Sequence, residues 1–224
     1  MIHFILYVSL SALETNMTFL LMLSLFRYKA DPKMPLLTLF SVLLACMSYY
    51  LRAHANAYAV DTPLQLALTY AFVKYAFALP WFYAGVMMLS GTTLYMLVQS
   101  GMTITFHQLG WYVLEDSVRA TGFNIYCIQV LSALIGYAIV LLMRRANLGF
   151  TFIPSHGRTP VDINEGHNRR LLYSMTVTTI VFVVSICAFP LRSQVLLYMA
   201  LPLLLLAYAY FVTVSMEKET SEEL

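Results

Sequence analysis

Residues 144–170, RRANLGFTFIPSHGRTPVDINEGHNRR, form the one long polar stretch of an otherwise apolar chain. This stretch holds five of the thirteen Lys and Arg residues of the sequence. Because cytoplasmic loops of membrane proteins carry an excess of Lys and Arg, the stretch is predicted to lie in the cytoplasm. The direction of every hydrophobic segment before and after it then follows.

The composition indicates an integral membrane protein. Of the 224 residues, 60% are hydrophobic and 11% are charged, whereas about 25% of the residues of a soluble domain are charged. A span needs about 20 residues, so the chain has room for about six to eight helices and for no soluble catalytic domain. The net charge of +2 gives no indication of a nucleic-acid partner, and the expected partner is the lipid bilayer.

The predicted fold class is an all-α integral membrane protein with seven transmembrane helices. One polytopic domain covers residues 1–216, and residues 217–224 form a short acidic cytoplasmic tail. The seven spans are placed at 2–26, 36–51, 63–79, 81–102, 121–143, 171–189 and 194–216, with the cytoplasmic connector at 144–170.

The number of spans depends on Pro80. A tight hairpin at 78–81 gives seven spans, whereas one kinked helix through Pro80 crosses the membrane once and removes a span. With the hairpin, nine Lys and Arg residues lie in cytoplasmic segments and three lie outside; without it, five lie inside and seven outside. The positive-inside bias therefore favours seven spans, with the amino terminus outside and the carboxyl terminus in the cytoplasm.

Glu14 is the residue most informative about function, because it lies near the middle of the first span. Twelve residues of helix correspond to about 18 Å, and a carboxylate at that depth costs at least about 2.5 kcal/mol. In a functional interpretation, Glu14 responds to a ligand or a proton. In the structural alternative, it is protonated, or it pairs with Asn16, Lys74 or a hydroxyl group and fixes helix packing.

Lys74, in the third span, also has two interpretations. Its ammonium group can extend to the cytoplasmic interface, or it can form an ion pair with Glu14. An ion pair predicts that replacing both residues by apolar ones is milder than replacing either alone, because a single change leaves an uncompensated buried charge.

Three neutral polar residues lie in or beside the spans, namely Gln99, Asn124 and Gln129. Each can line a ligand site or simply bond to a neighbouring helix. On the outer side, residues 103–120 form the longest external segment, whose mixed composition predicts a piece lying in the membrane interface. Trp111 and Tyr112 in this segment suit the mouth of an extracellular ligand site, or they belong to an aromatic belt.

Metal, cofactor and enzyme signatures are missing from the sequence. His156 and His167 lie eleven residues apart with no nearby cysteine, which is a poor metal-binding spacing. No His-Glu-x-x-His motif occurs, and the one Glu-Glu pair, 222–223, lies in the tail. Neither catalysis nor a cofactor is expected. The three cysteines fall within apolar runs and are predicted to be packing residues; they are Cys46, Cys127 and Cys187.

Several of these features occur together in one known family. Glu14 within the first span, the sequence Phe-Arg-Tyr-Lys at 26–29, Lys74 in a short span led by Pro63, and Gly-Phe-Thr-Phe-Ile-Pro at 149–154 carry the likeness. A fourth span ending Val-Gln-Ser at 98–100 adds to it. The chain resembles the membrane sensor region of accessory-gene-regulator-type peptide-sensing histidine kinases of Gram-positive bacteria.

The resemblance implies an extracellular cyclic peptide as ligand, bound by the spans and outer loops, and a helix that relays the signal to a cytoplasmic kinase. The chain departs from that pattern after Met216, where eight residues follow and contain no phospho-acceptor His, no Asn-containing ATP box and no glycine-rich lid. We therefore expect a sensor module without a kinase, or a relative that acts through a separate partner.

The sequence leads to one principal functional hypothesis and two rivals. The principal one is a multi-pass sensor of the bacterial plasma membrane that binds a small extracellular ligand, with a peptide as one class, and relays its state to a cytoplasmic or membrane signalling partner. The rivals are a small transporter, or the substrate-binding subunit of one, and a structural or immunity-type membrane interaction protein. The pattern leaves open a homodimer.

Overall fold

The computed structural model describes residues 2–28, 31–53, 55, 57–112, 122–153, 166–188 and 194–223, and these residues contain seven α-helices and no strand. A short 3-10 helix at Asp31–Lys33 precedes the second of them. The helices are α1 (Ile2–Leu25), α2 (Met34–Ala53), α3 (Tyr58–Ala76), α4 (Trp81–Gln108), α5 (Phe123–Arg145), α6 (Gly166–Ala188) and α7 (Gln194–Glu223).

The prediction of an all-α membrane protein is confirmed. Five helices, α1, α2, α4, α5 and α7, are long and apolar enough to cross a membrane. Helix α3 is less apolar, because it contains Asp61 and Lys74. In α6 the charged residues Arg169 and Arg170 lie near its start, and residues 171–185 contain no charged side chain.

Contacts near the helix ends give the directions of the helices. Tyr7 near the start of α1 bonds to Ser48 near the end of α2, so these helices are antiparallel. Met17 of α1 lies against Gly136 of α5, whose start lies beside the start of α1, so this pair is parallel. The starts of α1 and α5 therefore define one end of the bundle, which we call the amino-terminal end; the opposite end is the carboxyl-terminal end.

Helix α4 is the centre of the bundle and contacts α1, α3, α5, α6 and α7. Two-thirds of its apolar window is buried, against 28% for each of the other candidate spans. The largest fully buried side chains come mainly from α1 and α4 and include Met17, Phe19, Leu21, Phe82 and Met87.

Glycines let α1 approach its two neighbours closely. A Cβ atom on Gly91 of α4 would lie 2.2 Å from Met22 Cγ and 2.9 Å from the Met22 backbone. A Cβ atom on Gly136 of α5 would lie 2.1 Å from Met17 Sδ. Small residues at helix crossings allow this kind of backbone approach in membrane proteins.

Four helices end in the same turn. The residue after the last turn adopts a positive φ, which is 51° at Arg27, 53° at Ala78, 73° at Gly110 and 50° at Asn147. Each such residue and its successor donate backbone hydrogen bonds back into the helix, in the pattern of a Schellman motif. This motif separates α3 from α4, which then pack side by side as a hairpin rather than continuing as one kinked helix.

Several predicted boundaries differ from the helix ends. Residues 103–108, expected in an external interfacial segment, continue α4, and α3 begins at Tyr58, five residues before the predicted span at 63–79. Residues 217–223 of the expected acidic tail belong to α7. Hydropathy identifies the apolar part of a helix, whereas α7 extends beyond it because the Glu and Lys residues after Met216 favour helix.

Candidate functional site

Glu14 is the centre of a polar cluster between α1, α4 and α5. Its Oε1 atom accepts hydrogen bonds from the Tyr95 hydroxyl and from Gln99 Nε2, the latter at 3.0 Å. Its Oε2 atom accepts one from Gln129 Nε2 at 3.0 Å. Three neutral donors on two other helices therefore bind the carboxylate. They are the polar partners that a carboxylate in the middle of an apolar helix needs.

The structure thus brings together three residues that the sequence singled out separately, Glu14, Gln99 and Gln129. It adds Tyr95, which sequence reasoning missed. Tyr95 and Gln99 lie four residues apart on α4 and so share one helix face. That spacing was available in the sequence, but an isolated tyrosine in an apolar helix looks like an ordinary core or belt aromatic.

The proposed ion pair between Glu14 and Lys74 is wrong. Lys74 Nζ instead lies 5.4 Å from the centre of the Tyr75 ring. Lys74 is two residues from the end of α3 and Glu14 eleven residues from the end of α1, which places them about 13 Å apart in depth at 1.5 Å per residue. Asn16, another suggested partner of Glu14, donates to Thr38 Oγ1 on α2 at 2.9 Å.

Three other predicted residues lie apart from the cluster. Asn124 is on the first turn of α5 and has no described bond to Glu14. Trp111 is 60% exposed and packs edge-on against Phe106 with ring centres 5.6 Å apart. Tyr112 is buried, and its carbonyl accepts a hydrogen bond from His107 Nδ1 at 2.9 Å. Trp111 and Tyr112 therefore pack against the last turn of α4.

A second polar group lies at the amino-terminal end and was not predicted. Asp61 on α3 is fully buried, and its carboxylate binds Arg52 Nε of α2 at 2.5 Å. It also accepts from Ser48 Oγ at 2.9 Å and from Gln65 Nε2 at 2.8 Å. Because the Ser48 hydroxyl donates to Asp61, the Tyr7 hydroxyl donates to Ser48 at 2.9 Å.

The opposite end of the bundle is closed by residues 147–153, which we call the connector segment. The Phe150 amide donates to the Leu25 carbonyl of α1 at 2.7 Å, and Arg27 donates to the Asn147 carbonyl at 2.5 Å. A Cβ atom on Gly149 would lie 2.8 Å from the Ser24 carbonyl, so this approach requires glycine.

Helix α7 holds the connector segment from its other side. The Glu219 carboxylate accepts bonds from the Thr151 amide at 2.7 Å, the Thr151 hydroxyl at 2.6 Å and the Phe152 amide at 3.1 Å. Lys218 is 2% exposed and donates to Asn168 Oδ1 and to the Tyr83 hydroxyl. Lys218 lies within the predicted acidic tail at 217–224, and its side chain joins α4, α6 and α7.

The Glu14 cluster offers acceptors rather than a metal centre. No three His, Cys, Asp or Glu side chains in the described ranges are placed to hold a metal ion. Gln129 donates its amide group to Glu14, so its Oε1 atom points away, and that atom is buried without a hydrogen-bond partner. A carboxylate next to an unpartnered carbonyl oxygen can receive the N–H or O–H groups of a bound molecule.

Comparison with known proteins identifies no relative. The chain matches no family model, no curated protein and no solved structure.

Proposed function

We propose that this chain is a seven-span sensor of the bacterial plasma membrane that binds a small extracellular ligand at the Glu14 cluster and relays the bound state to a partner. A small peptide is one class of ligand. The proposal of a bacterial origin and of a peptide rests on the resemblance carried by residues 26–29 and 149–154.

The observation that carries the proposal is the bonding of Glu14. A buried ion pair would neutralise an intramembrane carboxylate by packing alone, but Glu14 is bound by neutral side chains. Its neighbour Gln129 retains an unpartnered buried oxygen, and such a group costs about 1–3 kcal/mol. Ionisable residues kept at this depth commonly serve function.

The distribution of cations supports the proposed orientation, with the amino terminus outside. At the carboxyl-terminal end, Arg27, Lys33, Arg144, Arg145 and Arg170 lie at the helix ends or in the turns between helices. At the amino-terminal end, Arg52 is the described cation, and Asp61 pairs with it. The positive-inside rule then puts the carboxyl-terminal end in the cytoplasm.

The proposal includes α3 and α6 as additional spans. At 19 and 23 residues, they are about 28 and 34 Å long, enough for a hydrocarbon core of about 30 Å. In α3 the buried Asp61 bonds inward to Arg52, and α6 contains no charged residue from Leu171 to its end. Inward bonding lets a less apolar helix cross, because its polar groups do not meet lipid.

A route for the relay runs along α1. Glu14 lies at its middle, and the last turn of α1 binds the connector segment through Leu25 and Arg27. The connector segment is in turn bound by Glu219 of α7. A shift of α1 against α4 and α5 on ligand binding would therefore reach the cytoplasmic face at two helices.

The test is a thermal-stability screen of the full chain in lipid nanodiscs with short peptides and small polar molecules. A ligand at 100 times its Kd adds about 2.7 kcal/mol of stability, so we expect a hit to raise the Tm of the wild type but not of Glu14→Gln. Thr92→Val, which removes a hydroxyl bonded within α4, is the matched control and should respond as the wild type does.

Two results would count against a sensor. Equal stabilisation of the wild type and Glu14→Gln by every hit would show that Glu14 is not part of the ligand site. Accumulation of the hit inside sealed vesicles, lost in Glu14→Gln, would indicate the transporter alternative instead.

A further inference from the structure

A cavity opens at the amino-terminal end of the α1 and α5 interface. Its volume is about 300 Å³, which is at the lower limit for pockets that hold small molecules. The residues that line it are His3, Leu6, Gly122, Phe123 and Tyr126.

Helix α5 carries a polar stripe from this cavity into the bundle. Tyr126, Gln129 and Ser132 are spaced three residues apart, so each one is the helix-surface neighbour of the next. In each of them one oxygen is buried without a hydrogen-bond partner, namely the Tyr126 hydroxyl, Gln129 Oε1 and the Ser132 hydroxyl. Ser132 is fully buried. Buried polar atoms are nearly always bonded to protein or water, so these three oxygens can accept hydrogen bonds from water or from a bound molecule.

The stripe leads to the Glu14 carboxylate, because Gln129, its middle member, donates to Glu14 Oε2 at 3.0 Å. Arg52 does not neutralise Glu14, because it is bonded to the buried Asp61 at 2.5 Å and this pair is neutral as a unit. When Glu14 is ionised, the described Asp, Glu, Lys and Arg side chains toward the amino-terminal end of the bundle therefore carry one negative charge in excess.

We propose that the cavity and the Tyr126, Gln129 and Ser132 stripe form a cation-selective access route to Glu14, and that the ligand carries a protonated amine. This inference rests on the proposed function for the role of the ligand, but the route itself does not depend on it. An ammonium group has three N–H donors and a positive charge. The ammonium group would donate hydrogen bonds to the unpartnered oxygens and would be attracted to the Glu14 carboxylate. An anion would find no donors there and would be repelled by the carboxylate.

The route is tested with charged thiol reagents on the full chain in nanodiscs. Cys46, Cys127 and Cys187 are replaced by alanine, and Tyr126→Cys places a thiol in the cavity. A trimethylammonium-bearing methanethiosulfonate and its sulfonate counterpart are compared, with each rate divided by the rate for a free thiol. Negative clefts concentrate cations by roughly tenfold or more, so we expect the cationic reagent to be favoured by about tenfold.

Two controls separate the route from general exposure. Adding Glu14→Gln should reduce the preference to about that of a free thiol, because it removes the charge and keeps the side-chain shape. Leu109→Cys, exposed beyond the end of α4 at the same end of the bundle, should show no preference that depends on Glu14. If Tyr126→Cys does not fold, Leu6→Cys places a thiol in the same cavity from α1.

A protection assay adds a direct probe of the ligand class. n-Butylammonium chloride should slow modification at position 126 more than the same concentration of sodium chloride, and this difference should disappear in Glu14→Gln. Equal rates for the two reagents, or a preference unchanged by Glu14→Gln, would overturn the inference. Cation selectivity without any hit in the stability screen would instead refute the sensor function and leave the route standing.

Discussion

At the scale of single residues, the Glu14 cluster shows how a carboxylate is kept in a membrane bundle by neutral groups. Tyr95, Gln99 and Gln129 each donate one hydrogen bond to it. Hydrogen bonds to charged groups contribute more than neutral ones in soluble proteins, whereas bonds between membrane helices contribute about 0.6 kcal/mol on average. The charge of the acceptor should strengthen these three hydrogen bonds, whereas their place between membrane helices should weaken them, and substitutions can measure the net contribution.

Tyr95→Phe removes one donor to Glu14 with little change in shape. We expect it to lower the free energy of unfolding by about 1.5 kcal/mol, and by much less in a Glu14→Gln background, because the charged acceptor is then gone. Reversible unfolding of the full chain in mixed micelles measures both values. Tyr137→Phe, which removes an α5 hydroxyl that lacks a described hydrogen bond, is the control. A loss that is the same in both backgrounds would show that Tyr95 acts by packing alone.

The sequence could predict this site in part. Glu14, Gln99 and Gln129 stand out because polar side chains within apolar helices need partners. The partners themselves depend on helix rotation and depth, which charge counting does not specify. Lys74 illustrates this point. Its opposite charge makes it a possible partner of Glu14, but it lies too near the end of α3 to reach the middle of α1.

At the scale of helices, α1 crosses α4 at Gly91 and α5 at Gly136, and a side chain added at these two glycines would clash with different parts of α1. At Gly91 a Cβ atom would meet the Met22 backbone, whereas at Gly136 it would meet the end of the flexible Met17 side chain. Overpacking typically costs about 1–3 kcal/mol. We expect Gly91→Ala to fall at the upper end of this range and Gly136→Ala at the lower end, by thermal unfolding.

A second substitution tests this reasoning about Gly91 and Gly136. Met17→Ala should relieve Gly136→Ala, but Met22→Ala should not relieve Gly91→Ala, because the Met22 backbone remains. Gly101→Ala, with nothing within 4 Å of the new Cβ atom, is the control and should be neutral or stabilising. Relief of Gly91→Ala by Met22→Ala would mean that α1 and α4 are not limited by backbone contact.

The helix-terminal turns give a matched pair of substitutions. Ala78 and Gly110 occupy the same left-handed position of two Schellman motifs, where a Cβ atom costs about 1 kcal/mol. Ala78→Gly should therefore stabilise the protein and Gly110→Ala should destabilise it by a similar amount, as measured by the unfolding midpoint. Changes of the same sign in the two variants would contradict this assignment.

The sequence predicted the order of the helices better than their ends. The break near Pro80 followed from charge counting, and the structure places α3 and α4 on either side of it. The ends of α4 and α7 were missed, because hydropathy falls where a helix leaves the hydrocarbon but hydrogen bonding continues. Residues 217–223 are mostly Glu, Lys, Thr and Ser, so apolarity alone would end α7 at Met216.

At the scale of the whole molecule, the proposed orientation is tested by labelling single cysteines in intact cells with a membrane-impermeant maleimide. With the three native cysteines replaced, we expect cysteines at His3, Ala55 and Leu109 to react from outside, because they lie at the amino-terminal end. Cysteines at Ala78 and Thr220 should react only after permeabilisation. Labelling of Ala78→Cys from outside would mean that α3 does not cross, and inverted labelling of all five would reverse the orientation.

The connector segment sets an order for assembly during synthesis. Its contacts with α1 can form once residue 150 has left the ribosome, but the carboxylate that binds the Thr151 and Phe152 amides comes from Glu219. Until residue 219 has been translated, these two amides have no protein acceptor from α7, and the connector segment is bound to α1 alone. A ribosome stalled before that codon would hold a nascent chain whose first helix is inserted but not yet locked in place.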